Sequence, residues 1–134
     1  LPAVDACLFA TPMPATIGAD LTIIVDGPTA STPLFVLFDV ATGSVRLGAW
    51  GTSQIAMSPS MIVLADPYGI FGASLAPGWT NAAGNWSLTV PVVPEPSLAS
   101  LTLFGEAFVL DFFAPNGLFR RSNLLTLSFA IPPP

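Results

Sequence analysis

One pattern recurs along this chain: an apolar run of strand length, then a turn signal built from Gly, Pro, Asn or Asp. "DLTIIVDGP" (20–28) stops on Asp-Gly-Pro, and "TPLFVLFDVATG" (32–43) stops on Ala-Thr-Gly. "SVRLGAWG" (44–51) follows closely enough to form a hairpin with it. "SQIAM" (53–57) leads into "SMIVLADPYG" (60–69), where Asp66-Pro67-Tyr68-Gly69 is a strong turn. "NWSLTVPVVP" (85–94) puts Trp86, Leu88 and Val90 on one face and Ser87 and Thr89 on the other. "SLTLFGEAFVLDFFAPNG" (100–117) and "NLLTLSFAI" (123–131) complete the series. No segment keeps a helical i, i+3, i+4, i+7 stripe over three turns. The 15 prolines and 11 glycines fall mostly between the runs, as punctuation between strands requires. The pattern predicts an all-β chain: a single antiparallel β-sandwich, immunoglobulin-like or jelly-roll-like, of about seven or eight strands.

The strand within 100–117 raises a problem of its own. Thr102, Phe104, Glu106, Phe108, Leu110 and Phe112 alternate with Leu101, Leu103, Gly105, Ala107, Val109, Asp111 and Phe113. Both faces are therefore largely apolar, although a two-layer β-domain normally leaves one face to water. Composition makes the problem general, because the chain is 52% hydrophobic and 8% charged, with a mean hydropathy of +0.74. A folded monomer of this mass exposes roughly 6,700 Å², or about one charged side chain per 600 Å². Such a surface should associate or precipitate unless other copies or attached glycans cover it.

Several function classes are excluded on residue content. A spanning helix needs about 20 consecutive apolar residues, and the runs here, such as "LFVLF" at 34–38, are strand-sized. A membrane barrel needs a polar lumen face, which these strands lack. With no Lys, only Arg46, Arg120 and Arg121 as cations and a net charge of −5, nucleic acid and anionic lipid are poor partners. The chain has no His either: without His it lacks the usual general base and the partner of a Cys nucleophile, and without Lys it lacks Schiff-base chemistry. Asp26, Asp39, Asp66, Asp111, Glu95 and Glu106 remain for a carboxylate pair. Asp26, Asp39 and Asp66 each sit beside a turn, where bonding to the local backbone is the commoner role. No D-x-D-x-D spacing points to Ca²⁺. The expectation is a non-catalytic chain with no cofactor and no metal.

The ends read as extended arms outside the compact unit: 1–17 as an N-terminal arm, 18–131 as the sandwich and 132–134 as a Pro tail. "LPAVDAC" reads as a mature end from which an export signal has been removed, and the Lys-free, Pro-, Ser- and Thr-rich composition fits an extracellular protein. Cys7 has no partner for an internal disulfide. It reads first as a small buried apolar residue, with an intermolecular bridge or lipid anchor as the alternative. Glu106 and Asp111 are acids in the most apolar strand, with Arg120 and Arg121 across the hairpin. They read either as a cross-strand ion pair that disciplines strand pairing or as charges that meet a neighbouring copy. Trp50, Trp79 and Tyr68 are available for sugar stacking, whereas Trp86 is in phase with core residues. Asn85-Trp86-Ser87 has the form of an N-glycosylation sequon, and Thr11, Thr32 and Ser58 lie beside prolines as candidate O-linked sites.

The second half also carries a resemblance. Gly84, Leu88, Pro91, Pro94, Leu98, Ala107, Ser122 and Asn123 fall in an order that resembles the C-terminal β-sandwich modules of large secreted proteins of planctomycetes and similar bacteria. The likeness covers about residues 82–131. Glu106 stands where those modules usually have Gln, and no second Cys is present to pair with Cys7. The resemblance implies an extracellular β-module without implying an activity.

Together these readings predict a structural extracellular subunit that polymerises with copies of itself into a filament or sheet, with glycans as possible covalent partners. Strand donation is the expected route, with Cys7, Leu8 and Phe9 of the arm as donor and Pro12 and Pro14 as the hinge. Phe104 and Phe108 on the outer face of the long strand, with Arg120 and Arg121, complete the expected interface. The alternative is a cell-surface or carbohydrate-binding module of a larger secreted protein.

Overall fold

The computed structural model describes residues 6–27, 30–47, 51–110 and 119–133. Among them are nine strands: β1 (Cys7–Thr11), β2 (Ala15–Thr16), β3 (Asp20–Asp26), β4 (Leu34–Asp39), β5 (Ile62–Ala65), β6 (Asn85–Pro91), β7 (Thr102–Leu110), β8 (Phe119–Arg121) and β9 (Leu125–Ala130). A short 3-10 helix, Pro96–Ser100, joins β6 to β7. The strands form a β-sandwich, with a small sheet ordered β1-β3-β6 and a large one ordered β2-β9-β7-β4-β5, where β8 also pairs with β7. All pairings are antiparallel except β2 with β9.

Period-two alternation sets the core. Leu8 and Ala10 of β1, Leu21, Ile23 and Val25 of β3, and Trp86 of β6 point from the small sheet into the space between the sheets. Leu34, Val36 and Phe38 of β4, Leu103, Ala107 and Val109 of β7, and Leu125 and Leu127 of β9 meet them from the large sheet. Burying each such side chain contributes about 1.5–3 kcal/mol. The Trp86 indole N–H, which must find a partner when buried, donates to the Pro77 carbonyl at 2.8 Å.

The remaining face of the large sheet is covered by the chain itself. Residues 40–47 leave β4, and residues 51–61 fold back against them as an irregular hairpin, so that both lie over the outer surface of β4 and β7. Hydrogen bonds from Ala56 N–H to Ala41 O, Gly43 N–H to Gln54 O, Ser53 N–H to Val45 O and Leu47 N–H to Gly51 O hold its two arms together. The arms touch because position 43 is glycine: a Cβ there would lie 2.6 Å from Ala56 Cα. This flap delivers Ile55, Leu47, Met57 and Met61 onto Phe35, Leu37, Phe104, Phe108 and Leu110, making a second apolar cluster. The expectation that copies cover Phe108 is therefore corrected, while Phe104 is half-buried against the flap cluster. Phe108 is fully buried within its own subunit, and the sandwich has a third layer on that side.

The N-terminal arm is corrected as well. Residues 7–11 form β1, paired with β3 from Cys7↔Asp26 to Thr11↔Thr22, and β2 then crosses to the large sheet. Strand parity turns Leu8 and Ala10 inward, so Cys7, expected to be buried, is exposed with Phe9 and Thr11. The hairpin expected between 32–43 and 44–51 is instead made within 41–56, and 44–47 and 53–57 form bridges rather than regular strands.

Candidate functional site

The two sheets do not close over the core on every side. The small sheet stops at β6, and the side chains that a further strand would cover line an open seam of about 310 Å³. Leu21, Ile23, Phe38, Leu64, Leu103 and Leu127 reach it from both sheets. Val90, Val92 and Val93 at the end of β6, Ile62 and Leu75 opposite, and Leu98 of the 3-10 helix form its sides. No lining residue is charged or polar. At its rim Val93 is 59% exposed and Ile62 40%, so apolar surface runs from the core to the outside without a polar border.

The two edges of the small sheet differ. On β1, the Asn123 side chain acts as a substitute strand: Leu8 N–H donates to its Oδ1 at 2.9 Å, and its Nδ2 donates to Leu8 O at 2.9 Å. Ala6 bridges Ser122 beside it. The Ser122 hydroxyl accepts from Ala107 N–H and donates to Asn123 O, which fixes the staple on β7. On β6, among the described residues, no strand or side chain takes that place. Sequence reasoning missed the staple; its only trace was the Ser-Asn pair ahead of the last strand.

Glu106, like Asp39, has no exposed surface. It lies on the flap side of β7, where Oε2 accepts from Gln54 N–H at 2.8 Å and Oε1 lies 3.8 Å from Arg121 Nε. Burial pushes its carboxyl above the usual glutamate range; the Gln54 hydrogen bond and the Arg121 charge oppose the shift without cancelling it. Arg121 thus faces a carboxylate of its own chain, with about a third of its side chain exposed, while Arg120 is buried within the subunit. Asp111 lies outside the described residues. Asp39 ties the two ends of the flap, accepting from Val40 N–H, Ser58 N–H and the Ser58 hydroxyl at 2.7, 2.6 and 2.6 Å. Burial raises its pKa, but these three donors outweigh burial and hold it below the usual range. Asp66 accepts from the backbone of Tyr68, Phe71 and Gly72, the local turn bonding expected of it. Asp66 is thus committed to backbone donors and Asp39 to backbone donors and the Ser58 hydroxyl, and among the described residues no three His, Cys, Asp or Glu side chains converge as a metal site.

Of the aromatic residues, Trp86 is core, while Tyr68 and Trp79 are 61% and 50% exposed; Trp50 lies outside the described residues. Trp79 and Asp66 line a shallow cleft of about 420 Å³. Asn85 is half-buried at the start of β6, with its Oδ1 enclosed and without a partner. Among the described residues, no helix is long and apolar enough to cross a membrane.

No family model matches this chain, and no curated protein matches it. Among solved structures it is similar to a cellulose-active polysaccharide monooxygenase from M. thermophila, at 14% identity and a TM-score of 0.39, over 87% of this chain and 52% of that one. The chain spans about half the length of that structure, and a likeness this loose carries no argument about function.

Proposed function

We propose that this chain is a structural, non-catalytic subunit of an extracellular filament or sheet, built from copies that associate at the edges of their sandwiches. The observation that carries the reading is the open seam, an uninterrupted apolar groove beside an uncapped strand edge in a chain with very few charges. Donation of the N-terminal arm takes a specific form here. Because Leu8 and Ala10 already fill the core, an arriving arm replaces an equivalent one, so donation is a like-for-like exchange of β1 between copies. The absence of His and Lys and the engagement of Asp39 and Asp66 by local donors support a non-catalytic role. Negative-stain microscopy and light scattering of the purified protein at neutral pH test the reading. Regular filaments or sheets are expected, and Ile62→Lys with Val93→Lys, both at the exposed rim, should shift the material towards single subunits. A uniform monomer that stays soluble at high concentration would overturn it.

The exposed Tyr68 and Trp79, the latter beside Asp66 in a cleft, favour a second reading, a carbohydrate-binding surface module. Saturable binding to a polysaccharide panel, lost in Trp79→Ala, would support it; no binding to any member would remove it.

A further inference from the structure

We propose that the free edge of β6 pairs antiparallel with the β6 edge of a second copy across a two-fold axis, joining two small sheets into one continuous sheet. The inference rests on the self-assembly reading and names one of its joints. The main-chain groups that remain open on β6 point to this pairing. The β3–β6 register is unbroken from Asp20↔Pro91 to Asp26↔Asn85. Gly27 N–H donates to Gly84 O at one end, and Val92 N–H to Ala19 O at the other. Hydrogen-bonded pairs alternate along an antiparallel ladder, so Trp86, Leu88 and Val90 spend their groups on β3. Ser87, Thr89 and Pro91 face outward, and Pro91 has no N–H to offer. The flanking groups are already engaged. Asn85 donates to and accepts from Asn81, and Val93 O accepts from Glu95 N–H.

These commitments restrict the register. With the two-fold at Leu88, Ser87 faces the partner's Thr89, and each N–H meets an open carbonyl. With the two-fold at Thr89, that residue faces its own copy, and Ser87 N–H meets the partner's Pro91 carbonyl. Moving the axis to Ser87 sends Thr89 N–H to the occupied Asn85 carbonyl. Moving it to Val90 sends Ser87 N–H to the occupied Val93 carbonyl. Open donors therefore match open acceptors only at Leu88 or Thr89, and both solutions are self-pairings.

A second copy suits this edge for two further reasons. Residues 81–94 contain no charge, so nothing opposes the approach of an identical strand. The side-chain pattern also matches itself. Ser87 and Thr89 would extend the hydroxyl row begun by the Thr22–Thr89 hydrogen bond at 2.9 Å on the outer face. Leu88 and Val90 of both copies would meet over the seam on the inner face.

The test uses the full chain carrying Cys7→Ser, with Leu88→Cys or Thr89→Cys added, oxidised under assembling conditions and run on a non-reducing gel. Directly opposed strand positions satisfy disulfide geometry, so a cross-linked dimer is expected from one of the two. Ser87→Pro, which removes an outward N–H without breaking a bond to β3, should reduce that cross-link at least tenfold. Hydrogen exchange on protein without introduced cysteines gives an independent readout: the Ser87 and Thr89 amides should be protected in the assembly and exposed after dilution to single subunits. Filaments without cross-links from either cysteine, or with fast exchange at both amides, would overturn the β6 joint while leaving self-assembly standing. Protection of these amides in a proven monomer would assign the edge to another occupant and overturn it too. A protein that never assembles removes both readings.

Discussion

Replacing Phe108 by Ala asks whether the outer face of the large sheet belongs to the subunit or to its neighbours. Phe108 has no exposed surface and packs in the cluster formed by Phe35, Leu37 and the flap residue Ile55. Phe35 is itself held by an edge-on contact with Phe71 at 5.7 Å between ring centres, so the pocket is rigid and will not collapse readily onto a smaller side chain. Deleting a buried phenyl ring costs about 3–5 kcal/mol. Set against a typical domain stability of about 5–15 kcal/mol, that is a large fraction of the total. At about 4 °C per kcal/mol for a chain of this size, the melting temperature should fall by roughly 12–20 °C. Urea denaturation of the dispersed subunit, followed by tryptophan fluorescence, measures the loss. Limited proteolysis should show faster cutting within 40–61, because the flap loses its main support. The reasoning is refuted if Phe108→Ala leaves the urea midpoint of single subunits unchanged but abolishes assembly. Phe108 would then lie between copies, as the sequence pattern suggested.

Glu106→Gln should remove a pH dependence. The folded state holds the Glu106 carboxyl above its ordinary value, so its contribution to stability is full below the unfolded pKa and is lost as pH rises through the folded pKa. Urea midpoints of Glu106→Gln relative to the native protein should therefore improve as pH rises across that window; parallel curves would contradict the assignment. Asn123→Ala removes both hydrogen bonds to Leu8 and should cost about 1–3 kcal/mol, with faster amide exchange in β1; unchanged exchange at Leu8 would show that the staple is dispensable. Gly105→Ala places a Cβ 2.5 Å from the buried Phe38 ring and should cost about 1–3 kcal/mol in thermal denaturation; a neutral result would mean that the ring moves aside freely.

Local chemistry was sufficient to place most of the strands. β3, β4, β5, β6, β7 and β9 fall within the apolar runs, and the Asp66 turn and the burial of Trp86 follow from residue type and strand phase. These features depend on neighbours a few residues apart, which alternation and turn preferences report directly. The same alternation showed that both faces of β7 had to be covered, but it could not name the cover. That was decided by a chain reversal bringing Ile55 onto Phe108 and Gln54 onto Glu106, contacts across 53 and 52 residues in an irregular segment with no periodic signal. The arm was misjudged for a related reason. "CLFAT" is too short to show its partner, and its place in the sandwich depends on pairing with β3 and on Asn123, 115 residues away. The sequence alone determined which residues seek burial; tertiary structure decided which partner buries them, because apolar attraction has no direction and only the folded chain supplies the geometry.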